Sequence, residues 1–183
     1  MDLETVVQDI ADVLKGIDSS GVPFKAFHPG VGPYGEPQLV KLVSKGLNCI
    51  QRYSGCARTR RTPDLLIEGH WAIEIKIARP FGDNGKLAEN WSVNLLHPYA
   101  GNTSLLGDCL KLREITCSEQ KAAVAIGYEH YPPQMSLEPL WKAFEVIART
   151  VLEIKLGTRS EAAREGLIHS VHQRLVVVGW EVT

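Results

Sequence analysis

Hydrophobic residues near the start of the chain recur at intervals of three and four, with acidic residues between them. The positions are Leu3, Val6, Val7, Ile10, Val13 and Leu14. This spacing predicts an amphipathic helix that ends at Gly16 and turns its acidic face to water or to a partner. After a connection rich in glycine and proline, a second helix is predicted from Pro37 to Gly46, because proline suits a first helical turn and glycine suits a helix end.

Shorter apolar runs, some alternating with polar residues and some continuous, predict the strands. They cover residues 48–54, 64–67, 71–77, 122–128 and 174–182. Helical spacing returns at residues 105–112, with a cap at Asn102 or Thr103, and again at 139–152 and 160–172. This order of elements predicts an α/β fold in which a mixed central β-sheet is flanked by helices on both faces.

Residues 79–102 show no regular pattern and are predicted to form one long loop. Loops of this length inside a domain are usually functional or mobile. Lys86, Asn90, Trp91 and Asn94 could reach a groove or stack on a nucleic-acid base. The loop could equally be a dimer arm or disordered, and the sequence leaves these alternatives open.

Composition and length indicate a single domain of an ordinary globular protein. The chain has 183 residues, 44% of them hydrophobic, which is enough for one full core. No apolar run approaches the roughly 20 residues needed to span a bilayer, so we expect no membrane insertion. The four cysteines form no CxxC pair and the start of the chain lacks a signal pattern, so the cytoplasm is the expected compartment.

Charge is segregated along the chain although the formal net charge is only −1. Residues 24–63 carry seven lysines and arginines against one acid, Glu36, whereas residues 2–18 carry five acids against Lys15. A nearly neutral protein that binds a polyanion must use such a local patch. The basic segment is therefore the candidate surface for nucleic acid.

The predicted hairpin at residues 62–80 carries the candidate chemistry. In its second strand the isoleucines at positions 73, 75 and 77 alternate with Glu74 and Lys76, so the isoleucines share one face and the charges share the other. A half-exposed strand with an ion pair across its face would explain Glu74 and Lys76 on their own.

Asp64 extends this pattern if the turn holds three residues, 68–70, with Gly69 supplying the positive φ. Residue 67 then pairs with residue 71, and Asp64 lies opposite Glu74. Two carboxylates that face each other, with Cβ atoms about 5 Å apart, are destabilising unless a cation lies between them. This register therefore predicts a divalent-cation site. A two-residue turn would instead place Asp64 on the other face, barring a bulge.

Pro63-Asp64, followed by Glu74-Ile75-Lys76, resembles the motif of the PD-(D/E)xK nuclease superfamily, which has the restriction-endonuclease-like fold. The surrounding helix, three antiparallel strands, helix and further strand also resemble that family's common core, here residues 35–128. Residues 1–34 would add an N-terminal helix and connection, and residues 129–183 the C-terminal helices and strand. The resemblance implies a Mg²⁺-dependent DNA endonuclease, in which Mn²⁺ substitutes, that leaves a 5′-phosphate and a 3′-hydroxyl.

Asp64 and Glu74 are the expected Mg²⁺ ligands, since this ion prefers hard oxygens, and the resemblance adds the backbone carbonyl of Ile75. Lys76 would orient a water and stabilise the transition state while the metal lowers the pKa of that water. Glu36 is a fourth candidate, because many family members carry an acid on the helix before the first strand. Its place just before a proline also fits a plainer role at the positive end of that helix.

Basic residues next to the motif are the candidate DNA contacts. Arg58, Arg60 and Arg61 precede Asp64, and with Arg52 they would bind phosphates without reading sequence. Specificity would have to come from loops or from a homodimer whose two sites cut two strands, with the first helix as one candidate contact surface. Restriction, repair and junction resolution all fit these residues, and restriction is favoured only by its frequency in the family.

Two alternatives to a nuclease stay open. The chain could be a catalytically inactive domain of the same fold that binds nucleic acid or a protein partner, although intact Asp64, Glu74 and Lys76 favour an enzyme. It could also be a globular protein unrelated to nucleases. His169 and His172 are three apart on the last predicted helix, and we interpret them as surface residues because two histidines without further ligands rarely hold a metal.

Overall fold

The computed structural model describes residues 1–98 and 104–183 and arranges them around one β-sheet. Its strands are β1 (Ala57–Thr59), β2 (Leu65–Ile67), β3 (Trp71–Ala78), β4 (Gln120–Glu129), β5 (Ser160–Glu165) and β6 (Arg174–Glu181). The order across the sheet is β1-β2-β3-β4-β6-β5. Neighbouring strands are antiparallel except β3 and β4, which run parallel. The sheet is therefore mixed and mostly antiparallel.

Helices cover both faces of this sheet, which confirms the predicted α/β class. In the described part of the chain they are α1 (Leu3–Ser19), α2 (Glu36–Asn48), α3 (Val93–Leu96), α4 (Leu105–Glu114) and α5 (Glu138–Val146), the last continuing into a π-helical turn (Ile147–Val151). One core contains α1, α2 and the isoleucines of β3. The other contains α4, α5 and, from β4, Ala123 and Ala125. None of these helices combines the length and apolar character required to cross a bilayer.

The predicted strand at residues 48–54 is wrong. Asn48 ends α2, Gln51–Tyr53 form a 3₁₀ turn, and the edge strand β1 forms only later. The fully buried Tyr53 explains the difference, because its hydroxyl donates to the carboxylate of Asp9 on α1, 2.6 Å away. The segment thus packs against a helix, so it does not extend the sheet.

The predicted helix at residues 160–172 is also wrong, because residues 160–165 form the edge strand β5. Alanine, glutamate and arginine favour helices, yet this segment pairs along its whole length with β6, and α1 packs over both strands. Tertiary pairing outweighs local propensity here.

Helix boundaries differ from prediction in smaller ways. α1 continues through Gly16 to Ser19, and the N-cap of α4 is Ser104, whose hydroxyl accepts the N–H of Gly107 at 3.1 Å. The predicted caps Asn102 and Thr103 lie outside the described residues.

The acidic face of α1 is used partly within the chain. Besides its bond from Tyr53, Asp9 accepts two hydrogen bonds from Arg52, at 2.6 and 2.8 Å, and Asp12 accepts one from Arg164 at 2.7 Å. These pairs tie α1 to the 3₁₀ turn and to β5. They occupy part of the surface that was predicted to face water or a partner.

The carboxyl end of α1 fixes two distant segments through the buried Asp18. Its carboxylate accepts the backbone N–H groups of Val31, at 3.0 Å, and Ile168, at 2.9 Å. Gly30 lies against it with φ +119°, and a Cβ there would come within 2.9 Å of the Asp18 carboxylate. These contacts hold the connection that leads from α1 to α2.

Candidate active site

The β2–β3 hairpin has the register that brings the two predicted acids together. Leu65 pairs with Ile73 and Ile67 with Trp71, across a three-residue turn in which the central glycine has φ +73°. Asp64, one residue before β2, therefore lies opposite Glu74 on the same face. This part of the prediction is confirmed.

Asp64 is also attached to the edge of β3. Its Oδ2 accepts the backbone N–H of Ile75 at 2.9 Å. Because β2 begins at Leu65, which pairs with Ile73, Ile75 lies beyond the β2–β3 ladder. The N–H and C=O of one residue leave a strand on the same side, so the Ile75 carbonyl points to the edge where Asp64 sits. Glu74 lies next to this edge, since its side chain hydrogen-bonds to Asp64.

Burial and the negative charge of its neighbour decide the protonation of Glu74. Burial raises the pKa of Glu74 to about 9, and a hydrogen bond with Asp64 and the charge of Asp64 add to the effect. Near neutral pH Glu74 therefore keeps its proton and donates it to the Asp64 carboxylate. A divalent cation that binds an oxygen of each carboxyl group must displace this proton.

Lys76 lies between two further carboxylates. Its Nζ is 2.9 Å from Glu36 Oε1 and 3.0 Å from Asp108 Oδ2, and its side chain is only 11% exposed. Burial lowers the pKa of Lys76, but the two carboxylates outweigh it and raise the pKa above its usual value. Lys76 is thus a permanent cation, which suits charge stabilisation and excludes it as a general base near neutral pH.

Glu36, the fourth candidate, lies beside Lys76. It is the first residue of α2, after the N-cap Gly35, and its side chain crosses to Lys76. Burial raises the pKa of Glu36, while the charge of Lys76 opposes the rise. Glu36 therefore occupies the helix N-terminus and the site at once, so its two predicted roles are compatible.

Asp108 was missed in the sequence. It lies on α4 with 3% of its surface exposed, and its Oδ1 is 2.6 Å from Lys111 Nζ. A signal was present, because Asp108 is three residues after Leu105 and four before Leu112, on the apolar stripe of the helix. A charged residue at such a position requires a buried partner, and that partner is Lys76.

The predicted DNA-binding arginines divide into two groups. On β1 Ala57 packs into the core, so Arg58 projects from the other face, which carries Asp64. The backbone N–H of Arg60 donates to the Asp64 carbonyl at 3.2 Å, so Arg60 extends the ladder beside the site. Arg61 follows in the exposed loop. Two guanidinium groups already have an acidic partner, since Arg58 lies 3.2 Å from Glu68 and Arg52 is held by Asp9 on α1.

Comparisons of the chain with protein-family models, with curated proteins and with solved structures found no match. The resemblance to the PD-(D/E)xK superfamily consequently rests on the motif at residues 63–76, on its geometry and on the elements around it.

A second cluster, formed by His28, Asp83 and His169, brings its ligand atoms within 4.8 Å of one another but is unsuited to a metal. Nδ1 of His169 accepts the backbone N–H groups of Val171 and His172, at 3.1 and 3.0 Å, so the ring proton is on Nε2. That N–H donates to Asp83 at 2.8 Å, and a protonated ring nitrogen has no lone pair for a cation. The cluster is a hydrogen-bonded network.

His169 and His172 are therefore not surface residues, contrary to prediction. They are 1% and 2% exposed and their rings stack at 4.4 Å between centroids. His172 Nε2 lies 2.9 Å from the carbonyl oxygen of Phe81, to which it donates. Both rings fasten the 81–83 segment to the loop before β6.

The stability of the protein is expected to fall as the pH drops from about 6.5 to 4, in part because of His172. Burial lowers the pKa of His172 from 6.5 to about 4. In this window the unfolded chain binds a proton that the folded chain does not, so stability rises with pH, and the loss reaches on the order of 3 kcal/mol.

His172→Gln provides the matched control, because the glutamine amide can still donate to Phe81 but does not titrate. Urea unfolding of both proteins across this window should give a shallower pH dependence for the variant. Parallel curves would contradict the assignment.

Proposed function

We propose that the chain is a metal-dependent endonuclease that hydrolyses phosphodiester bonds in DNA. One observation carries the proposal: Asp64 lies opposite Glu74, with Lys76 on the same face, at an edge of β3 that β2 leaves open. The order α2, three antiparallel strands, α4 and β4 also matches the common core of the PD-(D/E)xK superfamily. Both features support membership of that superfamily.

The donor set fits Mg²⁺. Asp64, Glu74 and the carbonyl of Ile75 offer hard oxygens, and Mn²⁺ takes the same ligands. Among the described residues no further His, Cys, Asp or Glu completes a set with this pair within 4.8 Å. The remaining positions would be filled by water and a substrate phosphate, as is usual for Mg²⁺. When bound, the ion polarises the phosphate and lowers the pKa of a water.

The protein's own residues prepare the reaction around that position. The Ile75 N–H fixes the direction of Asp64. Lys76, kept charged by Glu36 and Asp108, places a cation where negative charge develops on the phosphate. The raised pKa of Glu36 brings it closer to neutral pH, where it can accept a proton from the attacking water. Arg58 and Arg60 hold the DNA backbone beside the site.

The proposal extends to the compartment, the oligomeric state and the physiological role of the protein. All four cysteines are free, which suits the reducing cytoplasm. A homodimer would place two centres on the two strands of a duplex. Restriction, repair and junction resolution are all compatible with these site residues.

Incubation of the purified protein with plasmid, linear duplex, single-stranded DNA and RNA should show cleavage of DNA that requires Mg²⁺ or Mn²⁺ and stops with chelator. Asp64→Asn is the matched variant, since its amide oxygen can still accept the Ile75 N–H while the charge is lost. We expect it to cut at least about 10³-fold more slowly, because several kcal/mol of transition-state stabilisation depend on the ion.

Equal cleavage by the protein and by Asp64→Asn would expose a contaminating nuclease and refute the proposal. Binding of DNA without cleavage under any metal condition would instead indicate the catalytically inactive alternative.

A further inference from the structure

A cleft of about 530 Å³ opens beside the acid cluster, which consists of Glu36, Asp64, Glu74 and Asp108. Its walls come from the connection before α2, from the end of β3 and from residues 81–94. Glu36 belongs both to the cleft and to the ion pair with Lys76. A nucleotide strand whose phosphate lay at the acid cluster would therefore place a neighbouring unit in the cleft. Its volume is within the roughly 300–1,000 Å³ of pockets that hold small organic groups.

Aromatic rings line this cleft where solvent reaches them. Phe27 is 44% exposed, unusually so for a phenylalanine, and its ring is parallel to that of Phe24 at 6.2 Å between centroids. Phe24 in turn stacks on Tyr34 at 4.6 Å, so Phe27 ends a column that fixes its orientation. Trp91 lines the same cleft and packs partly into the core. Such fixed rings are the usual platforms for unstacked bases.

The charges of the cleft favour a base over a phosphate. Within the part of the chain that the structure describes, Arg79 is the only lysine or arginine of the lining, and its half-buried guanidinium donates to the carbonyls of Gly32 and Tyr34 at 2.7 and 3.3 Å. The exposed Glu89 adds negative charge, which repels a phosphate. Glu89 and the amide of Asn94 offer instead the acceptors and donors that match the edge of a base.

We propose that this cleft binds the unpaired base of a nucleotide next to the scissile phosphate, so that the preferred substrate is single-stranded DNA or a duplex with an unpaired segment. The inference rests on the proposed nuclease function and adds its substrate class. A base inside a continuous duplex is stacked on its neighbours and cannot lie on Phe27, which is why an unpaired strand is required.

Binding of short fluorescent oligonucleotides tests the inference without cleavage. All proteins carry Glu74→Gln, so that the strand stays intact, and anisotropy reports the affinity. We expect Phe27→Leu, which keeps apolar bulk but no aromatic ring, to weaken single-strand binding about tenfold. Phe27→Tyr should retain the affinity, and the distant exposed Val146→Ala should leave it unchanged. Duplex binding should be insensitive to all three changes.

A series of strands with one abasic position, moved along the sequence, identifies the base concerned. At one position the missing base should weaken binding by the parent protein by about the same factor as Phe27→Leu does. At that position the affinity of the Phe27→Leu variant should not fall any further. The inference is overturned if single strands do not bind, or if Phe27→Leu binds them with normal affinity. It is also overturned if the abasic position and Phe27→Leu weaken binding independently at every position. Metal-dependent cleavage that accompanies any of these results would leave the nuclease proposal standing.

Discussion

Glu74→Gln is expected to stabilise the metal-free protein and to abolish the proposed cleavage of DNA. The folded state raises the pKa of Glu74 from 4.5 to about 9, so it prefers the protonated form. The contribution of Glu74 to the free energy of unfolding is therefore fully present below pH 4.5 and is lost as the pH rises from 4.5 to about 9. Glutamine resembles the protonated acid, and its amide can donate to Asp64, so it avoids this loss.

Chemical unfolding in chelator at about pH 8 should show the variant more stable by on the order of 2–4 kcal/mol. The difference should shrink as the pH approaches 4.5. Cleavage with Mg²⁺ should fall by at least about 10³-fold. A difference that grows toward acidic pH would show that the Asp64–Glu74 pair does not share a proton, and undiminished cleavage would remove Glu74 from the reaction.

Lys76→Met is expected to cost both stability and cleavage. The side chain lies between Glu36 and Asp108, and its loss removes this cation from both carboxylates, although Asp108 keeps its ion pair with Lys111. Breaking a buried ion pair in this way usually costs about 3–5 kcal/mol. Urea unfolding at neutral pH measures the loss, and the DNA assay should show no metal-dependent product.

Adding Glu36→Gln and Asp108→Asn to Lys76→Met separates the two effects. Neutral amides remove the unpaired charges, so most of the stability should return while cleavage stays absent. If the triple variant remained as unstable as Lys76→Met, the lysine would be required for packing rather than for charge balance. Renewed cleavage by the triple variant would exclude Lys76 from the reaction.

The hairpin that carries the candidate site could be predicted because its information is local. Gly69 sets the turn, the alternation in β3 sets the faces, and together they place Asp64 opposite Glu74. The hydrophobic pattern likewise indicated the class of the fold, since buried strands and amphipathic helices leave periodic signals.

What the sequence did not show depends on contacts between distant segments. Asp108 joins Lys76 only because α4 packs next to β3, and the pairing of β5 with β6 replaces a helix that its residues would favour alone. His169 and His172 were misplaced for the same reason, because their burial depends on residues more than 80 positions earlier. A single chain offers no pattern from which such contacts can be derived.

Asp18 binds the backbone of two loops, so substitutions far from the acids can affect the candidate site. This carboxylate touches no part of the candidate site, yet it positions Val31 within the connection that carries Phe27 and leads to Glu36. Gly30 depends on the same fit. A random-mutagenesis survey that ranked positions by distance from the acids would therefore overlook Asp18 and Gly30.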